Sequence, residues 1–131
     1  MEADIDWING RSDEIWEQSI LPSLSEFIEI KALSPLFEPA WAELGELDAT
    51  IELFCKWLDE QDLDGMSYET HRIEDKSPVL LVSIDGTGPG EVIFYSHLDK
   101  QPSKPELWSE GLHPLKAVRR DPWLYGRGSI D

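Results

Sequence analysis

Two short motifs in the last third of the chain carry side chains that bind metal ions in proteins. His97 and Asp99 directly follow an apolar run at 92–95, and Asp131 follows a Gly-Arg-Gly segment at 126–128. Alternate side chains of an extended segment point to one side, so the Asp99 carboxylate can accept a proton from one ring nitrogen of His97. The other nitrogen then keeps its lone pair for a metal. A carboxylate at Asp131 could bridge two zinc ions about 3.5–4 Å apart.

Each motif by itself is typical of ordinary structure. A His-Leu-Asp tripeptide is commonly a structural hydrogen-bonded pair, and glycines give many loops a sharp backbone path. Their order is more specific: an apolar strand, Ser-His-Leu-Asp-x-Gln-Pro at 96–102, a tryptophan-containing connection, and Leu-Tyr-Gly-Arg-Gly-x-x-Asp at 124–131. This order resembles metallopeptidase family 20, the di-zinc exopeptidases and amidohydrolases. That family includes carnosinase-like dipeptidases, aminoacylase, acetylornithine deacetylase and succinyl-diaminopimelate desuccinylase, and Gln101-Pro102 is most similar to the carnosinase-like branch.

The resemblance implies a role for each of three residues. His97 would be a zinc ligand, Asp99 the acid that orients its ring, and Asp131 the carboxylate that bridges two zinc ions. The implied reaction is zinc-assisted hydrolysis of the amide bond of dipeptides or small peptides. The chain departs from the family at Lys100, where an apolar residue is commoner, and at His113, where an aspartate is often found. We interpret His113 as a loop residue, because no metal-ligand spacing links it to His97.

The resemblance also implies residues that the chain does not supply. A glutamate general base, two further acidic ligands and a distant histidine would all follow Asp131, as would a lid or dimerisation domain. We therefore expect residues 1–131 to be the N-terminal portion of a catalytic domain that binds zinc weakly and hydrolyses nothing by itself. Two alternatives stay open: a non-catalytic remnant that binds a partner, and an amidohydrolase acting on N-acyl amino acids.

The hydrophobic pattern predicts helices in the first half of the chain. Apolar residues recur at three- and four-residue steps from 16 to 28, and Ser12 is a plausible cap for that helix. Pro22 is predicted either to kink this helix or to restart it. A second apolar stripe predicts a helix over about 46–60, with Cys55 packed among its apolar neighbours.

The second half of the chain has the pattern of strands. The continuous apolar runs at 79–84 and 91–96 predict strands buried on both faces. A further strand is predicted at 66–74, and a β-ribbon over 115–119 and 123–125, bent between them. The predicted fold class is α/β: helices packed on a mixed sheet, forming the N-terminal part of a zinc-exopeptidase-like catalytic domain that is incomplete at its C-terminus.

Composition narrows the classes of partner. The net charge of −16 disfavours nucleic acid and anionic membranes, which need basic patches. A single cysteine excludes an internal disulfide and a cysteine zinc cluster. The first residues lack the basic and apolar regions of a signal peptide, and no apolar run approaches the roughly 20 residues that span a bilayer. We expect a soluble, cytoplasmic protein whose partner is a small peptide or N-acyl amino acid, and a homodimer is one arrangement open to the full-length form.

Overall fold

A computed structural model describes residues 4–130 and shows a small protein of mixed helix and sheet. Two compact units divide the chain: a central unit, Ile30–Pro102, and a terminal unit made of the segments before and after it. The described strands form two antiparallel pairs, β1–β2 and β3–β4. The elements in order are α1 (Ile5–Ile15), a π-helical turn (Trp16–Ile20), α2 (Leu21–Glu29), α3 (Trp41–Leu44), α4 (Glu46–Asp59), β1 (Met66–His71), β2 (Val79–Ile84), a 3-10 turn (Pro105–Leu107), β3 (Val118–Arg120) and β4 (Trp123–Tyr125).

The first helix of the terminal unit begins earlier than predicted. The Asp4 carboxylate accepts a hydrogen bond from the backbone N–H of Trp7 at 3.0 Å, so Asp4 is the N-cap and α1 begins at Ile5. The predicted start at Ser12 is therefore wrong, because the side chain that caps this helix lies eight positions upstream. In the part of the chain that the structure describes, no helix is both long and apolar enough to cross a bilayer.

Pro22 lies in the first turn of α2, directly after the π-helical turn. Proline has no N–H to donate to the carbonyl four residues earlier, and its ring crowds that carbonyl. The turn before it is wider: the N–H of Leu21 donates to the carbonyl of Trp16, five residues back. A π-type turn is one of the known ways in which a helix absorbs such a disturbance. The backbone at Leu21 stays helical, so the chain passes without a break from the π-helical turn into α2, with Pro22 in the first turn of α2.

The predicted helix over 46–60 is confirmed as α4. Leu47, Ile51 and Leu58 on its apolar stripe are only 5, 4 and 7% exposed. Cys55 in the same helix is half-buried. The helix begins after Gly45, whose left-handed φ of 68° separates it from the single turn of α3. This stripe supplies much of the buried apolar surface of the central unit.

The hairpin of the central unit has the predicted second strand but not its predicted burial. Tyr68 of β1 lies opposite Val82 of β2, and its hydroxyl donates to the carboxylate of Asp59 at 2.5 Å. Val82 and Ile84 are nevertheless 44 and 60% exposed. The expectation of a strand buried on both faces is wrong here, because every residue of β2 except the half-buried Leu80 is exposed.

The predicted strand over 91–96 is also wrong. Residues 91–96 belong to no strand, and the four apolar residues at 92–95 are between 80 and 91% exposed. An apolar run indicates what a segment could bury, but a strand forms only when another strand pairs with its backbone. The bounds predicted for the β-ribbon are confirmed at Trp123–Tyr125, and the first strand lies one to three residues later than predicted, at Val118–Arg120.

An ion-pair cluster fixes the ribbon within the terminal unit. The Arg119 guanidinium donates to both carboxylate oxygens of Glu17, at 2.6 and 2.8 Å, and to Asp121 at 2.6 Å. The two hydrogen bonds from Arg119 hold the pKa of Glu17 below its ordinary value. Because all three groups are exposed, we regard the cluster as a device that orients the ribbon and not as a large source of stability.

Candidate functional site

His97 and Asp99 are in direct contact in the central unit. The Nδ1 atom of His97 lies 2.9 Å from the carbonyl oxygen of Asp99 and 3.1 Å from its carboxylate oxygen Oδ1. Both neighbours are acceptors, so Nδ1 carries the proton in this arrangement and donates it. In the neutral ring, Nε2 then carries the lone pair. The two side chains are 47 and 32% exposed, so water and ions can reach the ring.

The geometry is the one that the sequence predicted for this pair, with one addition. The expected partner of the ring was the Asp99 carboxylate, and the structure adds the backbone carbonyl of the same residue. A carbonyl or carboxylate on the far nitrogen is the usual arrangement around a metal-binding histidine, since it fixes both tautomer and ring orientation. The same contact also occurs in purely structural hydrogen-bonded pairs.

The residue after Asp99 attaches this segment to the protein. The backbone N–H of Lys100 donates to the carbonyl of Ala32 at 2.8 Å, and the Lys100 carbonyl accepts from the N–H of Ser34 at 2.9 Å. These two bonds form an isolated parallel bridge between Leu33 and Lys100. The position of His97 and Asp99 thus depends on a short backbone ladder, and not on the buried strand that the sequence predicted before them.

The third predicted site residue, Asp131, lies outside the described residues. The glycine-containing segment before it is described up to residue 130. A Cβ atom added to Gly126 would lie 2.4 Å from the Cγ2 atom of Ile28, and the φ of Gly126 is 155°. The N–H of the next residue, Arg127, donates to the carbonyl of Pro114 at 2.7 Å. Glycine at 126 therefore serves close packing.

The other two histidines have local structural partners. His71 on β1 pairs with Glu69 on the same exposed face, at 2.8 Å. The Nδ1 atom of His113 accepts a hydrogen bond from the N–H of Leu115 at 3.1 Å, inside a turn. The contact of His113 agrees with its interpretation as a loop residue.

The described residues fit one part of a zinc site. His97 has the donor chemistry of a zinc ligand, an imidazole whose proton is held on the far nitrogen. Within residues 4–130, no group of three or more histidine, cysteine, aspartate or glutamate side chains is placed to hold a metal ion. The fit therefore extends to a single ligand and its orienting acid.

Sequence reasoning missed the role of Lys100. Its side chain is 2% exposed, and its Nζ atom donates to the carbonyl of Ile30 at 2.6 Å. No local signal could have found it, because lysines are mostly exposed in proteins and the partner of this one lies 70 positions away in sequence. No protein-family model and no curated protein matches this chain.

Proposed function

We propose that this chain is part of the catalytic domain of a zinc-dependent hydrolase that cleaves amide bonds of dipeptides or other small peptides. The fold supports only the coarser statement, a mixed helix and sheet protein. The zinc-exopeptidase architecture, the two zinc ions, the small-peptide substrate and the cytoplasmic location all belong to the proposal. They follow from the motif order around His97 and Asp131.

The proposal gives each of the three residues a limited task. His97 would present Nε2 to a zinc ion, while Asp99 keeps the proton on Nδ1. Asp131 would contribute a carboxylate to the same site. Zinc, when bound, lowers the pKa of a coordinated water and polarises a carbonyl. None of the three residues is assigned the general-base role of taking the proton from the attacking water, which is why we expect the chain alone to be inactive.

The observation that carries the proposal is the contact between Nδ1 of His97 and the two oxygens of Asp99. A solvent-accessible histidine with its far nitrogen committed to acceptors is prepared for metal binding, whereas His113 uses Nδ1 as an acceptor. Because the ring and the carboxylate belong to different residues, each can be changed separately. Asp99→Asn removes the carboxylate charge and keeps the ring, whereas His97→Ala removes the ring itself.

The test is zinc binding followed by nuclear magnetic resonance of the three histidine rings. Added zinc should perturb His97 at an affinity weaker than micromolar, and His97→Ala should remove that binding. Asp99→Asn should weaken it by about tenfold, because the negative charge beside the ring is lost although an acceptor oxygen stays. His71→Ala is the matched control and should change nothing. Zinc that perturbs His71 or His113 before His97 would contradict the proposal, and submicromolar affinity by calorimetry would contradict the expected weakness of this chain.

The reading frame in the genome gives an independent test. The proposal expects codons after Asp131 that continue with Asp and then Gly, and later a Glu-Glu pair. Assays of that longer product on dipeptides and on N-acyl amino acids would separate a dipeptidase from an amidohydrolase. A stop codon after Asp131 would instead favour the non-catalytic remnant.

A further inference from the structure

Lys100 is buried in a way that the proposed chemistry does not explain. It is the largest fully buried side chain among the described residues, at 2% exposure. Lysine is almost never fully buried unless its ammonium is paired, because taking a charge out of water is costly. Here the Nζ atom donates a charge-assisted hydrogen bond to the carbonyl of Ile30 at 2.6 Å.

The backbone of the same residue is bound to the same segment. Its N–H donates to Ala32 and its carbonyl accepts from Ser34, so the main chain and the side chain together make three hydrogen bonds to residues 30–34. Two backbone bonds alone allow an isolated bridge to fray. The third bond comes from the end of the side chain and contacts the same segment at a different point. It therefore restricts sliding of the segment around Lys100 along residues 30–34.

The segment that receives these bonds has its own conformational constraint. Ala32 is fully buried and has a φ of 39°, in the left-handed region that residues other than glycine rarely adopt. Such a conformation persists only where the surroundings fix it. The hydrogen bond from the N–H of Lys100 ends on the carbonyl of Ala32 itself, so Lys100 is one of the groups that hold this conformation.

We propose that Lys100 is a positioning residue that fixes the His97–Asp99 segment on residues 30–34. Lys100 follows Asp99 directly and His97 by three positions, so its three hydrogen bonds limit where the imidazole can move. The consequence for metal binding rests on the proposed function. The anchoring itself does not, because it is read from the buried ammonium and the bridge.

The test compares Lys100→Met with two controls. Methionine keeps an unbranched apolar side chain of similar length but removes the ammonium, so the Ile30 carbonyl loses that donor. Lys76→Met removes an exposed lysine of the central unit and is the matched control. Chemical rescue uses Lys100→Cys in a Cys55→Ala background, aminoethylated while unfolded, since Cys55 is the one cysteine of the chain.

Backbone amide exchange is the first measurement. In Lys100→Met, the amides at positions 34 and 100 should exchange about tenfold faster, while amides of α4 keep their rates. Aminoethylation should restore the slow exchange, because it returns an ammonium of nearly the same reach. Unchanged exchange at both positions in a folded Lys100→Met would overturn the proposal, and so would a uniform increase across α4 that aminoethylation does not reverse.

The unsubstituted chain supplies a check that does not depend on any variant folding. The Nζ protons of Lys100 should exchange with water more slowly than those of Lys76, because the Lys100 ammonium is buried and hydrogen-bonded. Equal exchange rates would overturn the proposal.

Zinc binding at His97 separates the two proposals. Lys100→Met should weaken zinc binding about tenfold, as loss of a supporting group commonly does, and Lys76→Met should leave it unchanged. If His97→Ala abolishes zinc binding and Lys100→Met leaves it intact, the positioning role of Lys100 is contradicted and the proposed function is not. Zinc binding that survives His97→Ala would instead sink the proposed function, and the two exchange measurements would still decide whether Lys100 fixes the segment.

Discussion

The apolar stripe of α4 and the run at 92–95 both consist of apolar residues in the sequence, but the structure buries the first and exposes the second. Ile51 on the stripe is 4% exposed, whereas Phe94 in the run is 91% exposed. A helix satisfies its own backbone hydrogen bonds, so its apolar face needs only a surface to pack against. An extended segment must also find a strand that pairs with its N–H and C=O groups. The difference shows that an apolar segment is not buried merely because it is apolar. An extended segment is buried as a strand only when a specific neighbouring strand pairs with its backbone.

The largest expected effect comes from truncating a buried side chain on the apolar stripe of α4. Ile51→Ala should lower the free energy of unfolding by about 2–5 kcal/mol, because it removes buried methylene groups and leaves a cavity. The matched substitution, Phe94→Ala, should change it by less than about 0.5 kcal/mol, since the ring is already in water. Urea unfolding followed by circular dichroism measures both. A loss at Phe94 as large as that at Ile51 would mean that residues 92–95 are covered in solution, and the comparison would fail.

A smaller effect is expected on association. An exposed apolar strand-like segment offers an unpaired edge to another chain, so we expect the protein to associate as its concentration rises. Phe94→Ser should reduce that association without changing the unfolding free energy. Light scattering after size-exclusion chromatography measures it, and Leu36→Ser is the control, because Leu36 is 82% exposed but lies in a turn outside the run. A monomeric wild-type profile at all concentrations, with a cooperative melt, would contradict the expectation.

The smallest effect concerns Tyr68, which links the hairpin to the covered helix. Its hydrogen bond to Asp59 raises the pKa of Tyr68 to about 12 from the ordinary 10.0. Because the folded-state pKa is the higher one, the contribution of this contact to stability is full below pH 10 and is lost as the pH rises through about 12. Absorbance of the ionised phenol should show a late step that Tyr68→Phe removes. Asp59→Asn should move that step toward lower pH, and a step that stays in place would show that Asp59 is not its cause.

Helices were predictable where the pattern repeated over several turns. The three- and four-residue spacing defined α4 to within one residue of its end, and the turn residues around β2 defined that strand fully. The start of α1 was missed because a single capping side chain, Asp4, decided it. A cap depends on one hydrogen bond and leaves no periodic pattern, so the sequence does not show which of two plausible caps begins the helix.

The candidate site was predictable in its local part. The spacing of His97 and Asp99 fixes which groups can meet, because two residues of extended chain bring alternate side chains to one side. The support behind that pair was not predictable. It joins Lys100 to residues 30–34, about 70 positions away in sequence, and no local pattern encodes so distant a partner.

By itself, then, the sequence determined α4, the β2 segment, the acidic surface and the contact between neighbouring side chains at 97 and 99. All of these depend on interactions within a few residues or on composition. Only the tertiary structure decided that the run at 92–95 stays exposed, that Gly126 meets Ile28, and that a lysine is buried beside the candidate site. Those outcomes depend on which distant segments come into contact. Burying a charge or leaving a strand edge unpaired costs free energy unless another segment supplies a hydrogen-bond partner.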